Sequence, residues 1–166
     1  LPDVSNIMHN YGLMLEAKRY RTDTVRRFQK NQIDILRRVI PPGQFITHNF
    51  ISRFNIYDYY EISADLDFAS WDYYVETGHH KHPNSCVGHD LVRGFKRRNF
   101  WLMETQTGHV SWNGTNNELH RGETRALAWE AVAHGADAVC YWQWRSAPNG
   151  QETYCGAMLG ADGNPR

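Results

Sequence analysis

Apolar positions along this chain follow two rhythms. From Leu15 to Val39 they recur at helical spacing, with Val25, Phe28, Gln32, Leu36 and Val39 on one predicted face. Arg19, Arg26, Arg27, Arg37 and Arg38 populate mainly the rest of that surface, and Pro41-Pro42-Gly43 stops the helix. Residues 1–12 are polar and turn-rich and predict no regular structure. Further on, short apolar runs alternate with helical stretches. "QFITHNF" predicts a strand, "NIYDYYEISADL" a short helix, and "DFASWDYY" a second strand. Residues 75–88 read as a loop, "CVGHDLVRGFKR" as a helix, and "FWLMET" as the third strand. A polar loop over 106–120 leads to the helix "RGETRALAWEAVAHGAD", with Gly135 placed as a left-handed cap. "AVCYWQWR" is the fourth strand, and the remainder is loop with at most one short strand.

The order is helix, then βα three times, then β. Near-continuous apolar strands alternating with helices imply an α/β fold, with a parallel sheet covered on at least one face. The strand tips fall near Asn49, Tyr74, Glu104 and Arg145, on average about 32 residues apart, close to the roughly 31 per unit of an eight-unit barrel. Polar residues and the longer loops gather at the carboxyl ends of the strands, where such barrels carry their chemistry. A doubly wound sheet is the competing architecture, but no glycine-rich phosphate loop follows any strand.

Composition narrows the function classes. Lys plus Arg and Asp plus Glu both number 18, so there is no field to attract nucleic acid or an anionic membrane. No apolar run approaches the length of a membrane span. Six Trp, nine Tyr and seven Phe are an excess of aromatics, which suits a pocket that stacks on flat or ring-shaped ligands as well as it suits a core. Cys86, Cys140 and Cys155 form no CxxC pair, and their odd number argues against a disulfide framework. Cys140, inside an apolar run, is expected to be a buried thiol. The compartment stays open, with the cytoplasm favoured over secretion.

Three readings compete for the polar residues. Glu104, at the tip of an apolar strand, suits a glycosidase nucleophile, with Trp112, Tyr74, Asn49, Glu152 and Arg145 as sugar-stacking and hydroxyl-bonding groups. The same groups would serve a non-catalytic sugar-binding module, which a carboxylate pair at catalytic separation would distinguish. The third reading is a metal held by His79, His80, His82 and His89, but no HExxH or CxxC frames them. No metal and no cofactor are expected.

"FWLMETQTGHVSW" resembles glycoside hydrolase family 42, the retaining β-galactosidases, whose nucleophile ends a strand in an "LMEQ" phrase with a tryptophan eight residues on. "FITHNF", "DYYEISADLDFASWDYY" and "HGADAVCYWQWRSAPNGQE" resemble three further phrases of that family. The resemblance implies that Glu104 is the nucleophile, that Tyr74 and Trp112 shape the galactose pocket, and that Glu152 binds the sugar. Asn49 and Arg145 would support them, Arg145 by orienting neighbouring carboxylates and holding Glu104 ionised. Cys155 stands where the family usually has a histidine that contacts sugar, and Thr105 where glutamine is common. The family's acid/base glutamate and its zinc-binding cysteines lie upstream of residue 1. The resemblance therefore implies one partial catalytic domain over 1–166, the carboxyl-terminal half of a (β/α)₈ TIM barrel from roughly the fourth helix to the eighth strand. Its implied partners are a galactoside and an amino-terminal half-barrel, within a homo-oligomeric enzyme. The chain alone is expected to be inactive.

Overall fold

The computed structural model describes residues 10–51, 55–112, 114–115 and 118–165. Its elements are α1 (Tyr11–Val39), β1 (Asn49–Phe50), α2 (Tyr59–Ser63), β2 (Ser70–Tyr73), α3 (His82–Lys96), β3 (Phe100–Gln106), α4 (Glu123–Ala133) and β4 (Ala136–Trp142). The four strands form one sheet in the order β1-β2-β3-β4, and every neighbouring pair is parallel. This is the expected βα succession. Part of the expectation for residues 1–12 lies outside the described residues, and α1 begins at Tyr11, where Asn10 Oδ1 accepts from the Leu13 amide.

Three local expectations are corrected. The buried residues of α1 are Thr22, Gln29 and Ile33, while Phe28 and Val39 of the predicted face are 66% and 74% exposed. The helix docks through Ile33 and, from the expected face, the partly buried Val25, together with polar contacts: Gln29 Nε2 donates to the Ile62 carbonyl at 2.6 Å, and the Asp58 amide donates to Thr22 Oγ1 at 2.9 Å. A hydrophobic periodicity cannot find such a face. Helix α3 starts at His82, four residues ahead of its apolar pattern, because Pro83 is preorganised for a first turn that leaves its amides unpaired. Cys140 is half-buried, since β4 pairs with β3 alone; the buried thiol is Cys155.

The core lies between the sheet and the helices. Trp71, Phe100 and Leu102 point from the strands into Val92 and Phe95 of α3 and Leu127 and Ala131 of α4, all buried. Gly88 lets α3 come down onto the Trp71 ring; a Cβ there would stand 2.1 Å from Trp71 Cη2. Gly135 has a φ of +98°, the left-handed geometry expected of it as the cap of α4. On the other sheet face, near the amino ends of the strands, Phe45, Phe68 and Trp101 pack at tilted and edge-on angles with ring centroids 5.0–5.1 Å apart. Above this aromatic floor, toward the carboxyl ends, the same face becomes polar.

Candidate active site

A bulge in β3 aims the glutamate. Phe100 and Leu102 are fully buried under the helices, and strict alternation would send residue 104 the same way. Trp71 pairs with Leu102, yet Asp72 pairs with Glu104, so Met103 is an extra residue on β3. The added residue resets the alternation. Glu104 consequently shares the polar face with Asp72, and one nitrogen touches both: Asn49 Nδ2 donates to Asp72 Oδ2 at 2.8 Å and to Glu104 Oε1 at 3.4 Å. The other oxygen, Glu104 Oε2, accepts from the Tyr74 hydroxyl at 2.9 Å.

Tyr74 packs edge-on against Trp112, with ring centroids 4.9 Å apart at 84°. Trp112 is 48% exposed and free to present ring surface. Glu152 accepts from Trp142 Nε1 at 3.0 Å. Five expected residues, Asn49, Tyr74, Glu104, Trp112 and Glu152, therefore gather at the carboxyl ends of the strands. Arg145 does otherwise: its guanidinium donates to the Ala161 carbonyl, and no carboxylate is among its hydrogen-bond partners in the described residues. Cys155 is buried, its thiol 3.2 Å from Ser111 Oγ, beneath the turn that carries Trp112.

Asp72 joins this candidate site without having been expected from the sequence. Its signal was its place two residues before Tyr74, on the same face of an alternating strand. Burial pushes its carboxyl up, the Glu104 charge pushes it further, and the Asn49 hydrogen bond offsets part of this, leaving it at about 7. Burial also raises the Tyr74 hydroxyl, with the Glu104 hydrogen bond and the charges of Glu104, Asp72 and Glu152 adding to it. Tyr74 is thus a lasting proton donor to Glu104.

The histidines part company. His89 is fully buried against Trp71 and Phe100, and burial lowers it to about 4, so it belongs to the core. His79 lies 3.3 Å from Glu123 and stacks on His120. His80 and His82 converge instead on Glu130, their ligand atoms all within 4.8 Å of one another.

The family model for glycoside hydrolase family 42, described as beta-galactosidase, matches residues 1–166. The chain belongs to glycoside hydrolase family 42. Among family 42 relatives, a beta-galactosidase of Thermus thermophilus is 38% identical over 99% of this chain and 28% of its own length. Beta-galactosidase Bga of Halorubrum lacusprofundi is 35% identical over 95% of this chain and 24% of its own. A solved beta-galactosidase from the same haloarchaeon superposes with a TM-score of 0.89 at 32% identity, covering all of this chain and 27% of that one. The chain thus spans about a quarter of the length of the relatives it matches. The parallel sheet and its helices match part of the TIM barrel of family 42 enzymes.

Proposed function

We propose that this chain supplies the nucleophile side of a retaining β-galactosidase. The observation that carries the proposal is the setting of Glu104, a strand-tip carboxylate gripped by the Tyr74 hydroxyl and the Asn49 amide beside an exposed tryptophan. Glu104 attacks the anomeric carbon, the glycosidic bond breaks, and the leaving oxygen takes a proton from an acid supplied by the amino-terminal half-barrel. Water then attacks the galactosyl ester, gives its proton to the same group, and frees Glu104. Donors on both oxygens orient Glu104 for attack. Trp112 offers a ring face to the sugar, and Glu152 accepts from its hydroxyls. Arg145 remains a support at most of the Ala161 turn.

Asp72 is not that acid. Its Oδ2 accepts from Asn49, which leaves Oδ1 to carry the proton, and Oδ1 is sealed from solvent, out of reach of a leaving group. It is a positioning residue for Asn49 and Glu104. The implied partners of residues 1–166, an amino-terminal half-barrel and further copies of the complete enzyme, follow from the same reading, as does their place in one catalytic domain.

Glu104→Gln in the full-length protein tests this directly. The amide is nearly isosteric and cannot form the ester, so turnover of an activated β-galactoside is expected to fall at least a thousandfold (about 4 kcal/mol in the barrier), with azide restoring part of it. Near-normal turnover would reject the assignment. Tight galactose binding without turnover in the unmutated protein would favour a sugar-binding module.

A further inference from the structure

Away from the polar face of the sheet, the segment His80-Lys81-His82 and the first turn of α3 close over α4 at Glu130. Glu130 Oε1 lies 2.5 Å from His82 Nδ1 and accepts from Cys86 Sγ at 3.3 Å. Glu130 Oε2 lies 3.0 Å from His80 Nε2 and accepts from the Ser85 hydroxyl. The side chains of His80 and Glu130 are only 4% and 7% exposed. Both ring nitrogens of His80 lack a hydrogen-bond partner, although they are sealed from solvent. A buried imidazole turned toward a carboxylate without bonding it is an expensive arrangement for a purely structural contact. It is the arrangement a cation between them would need.

We propose that His80, His82, Cys86 and Glu130 form a tetrahedral binding site for a divalent transition-metal ion of the zinc class, clipping α3 to α4. The donor set is two imidazoles, a thiolate and a carboxylate, which zinc accepts. Zinc bonds of about 2.0–2.1 Å set neighbouring N and O ligands roughly 3.3 Å apart, and a longer bond to sulfur widens that edge to about 3.5 Å. The ligand atoms of His80, His82 and Glu130 already lie within 4.8 Å of one another; Cys86 Sγ, 3.3 Å from Glu130 Oε1, stands at the edge of this trio and completes the four by turning toward the imidazoles while Glu130 offers a single oxygen. His82 and Cys86 stand one turn apart on α3 and so share a face. The ligands are themselves oriented: the His80 amide donates to Glu123 Oε1 at 3.1 Å, and Ser85 donates to Glu130. Binding would release the Cys86 proton to solvent, and the thiolate with the Glu130 carboxylate would neutralise the two charges of the ion. His79 and His89 take no part, being committed to Glu123 and to the aromatic core.

The test compares the full-length protein with its His80→Ala/His82→Ala double variant. Both are stripped with chelator, reloaded with Zn²⁺, freed of excess and analysed by elemental mass spectrometry. The variant is expected to hold one equivalent fewer per chain, so that any other zinc site cancels in the difference; equal contents would overturn the proposal. Cobalt provides a second readout that does not depend on the double variant folding. In the unmutated protein, Co²⁺ should give tetrahedral visible bands and a near-ultraviolet sulfur-to-cobalt charge-transfer band. Cys86→Ser should weaken the charge-transfer band by the contribution of one thiolate, and spectra identical with and without Cys86 would overturn the four-donor site.

Discussion

Asp72 and Glu104 face each other across neighbouring strands, and the folded site favours a proton on one of them. Burial and the Glu104 charge raise Asp72 from 3.8 to about 7. A carboxyl with a raised folded-state value binds its proton more tightly when folded. Its contribution to stability is full below pH about 4 and is lost as pH rises toward 7. Asp72→Asn, which keeps an acceptor for Asn49, should therefore gain melting temperature over the parent between pH 5 and pH 8. A difference that stays flat or shrinks across that range would contradict the raised value. Trp112→Ala should weaken galactoside binding by about 1 kcal/mol, roughly fivefold, with little change in melting temperature. A core tryptophan would instead cost about 3–5 kcal/mol of stability and leave affinity alone. Calorimetric titration beside a thermal melt separates the two. At this scale the grouping of Glu104, Tyr74 and Trp112 was legible because they sit in phrases with a shared chemistry. Asp72 was not, because the bulge at Met103 that opposes it to Glu104 is a matter of register. Nor was the turning of Arg145 to the Ala161 carbonyl, which depends on how the last segment folds back.

The elements show where apolar patterning is informative and where it fails. Strands β2, β3 and β4 and helix α4 follow runs dense enough to fix their type and order. Strand β1 pairs over only Asn49 and Phe50, although the run before it looks equally strand-like. Helix α1 presents Thr22 and Gln29 inward because buried backbone polar groups near Ile62 and Asp58 require partners, and that need outweighs its apolar stripe. The contact of α3 with β2 rests on a single missing side chain. Gly88→Ala would gain up to about 1 kcal/mol in helix propensity, but its Cβ would meet the Trp71 ring at 2.1 Å. Trp71 is 1% exposed and cannot step aside, so overpacking of about 1–3 kcal/mol should win. Denaturant unfolding should show a net loss, and a stabilised variant would contradict this packing.

On the scale of the molecule, the sheet has two open edges among the described residues, since β1 pairs only with β2 and β4 only with β3. Such edges seek partners, and in a closed barrel each edge finds one. Alternation of strands and helices made the barrel class legible, and the family phrases identified the family. The acid proposed to serve Glu104 was not legible in these residues and is implied only by the resemblance. The proposed mechanism requires that Glu104 become covalently attached to the sugar. The full-length enzyme should be incubated with a 2-deoxy-2-fluoro-β-galactoside bearing an activated leaving group, which slows hydrolysis of a glycosyl ester more than its formation, and then digested for peptide mass spectrometry. A fluorogalactosyl group on Glu104 and stoichiometric loss of activity are expected from that mechanism. A label on Asp72 or Glu152, or full activity with Glu104 unlabelled, would contradict it.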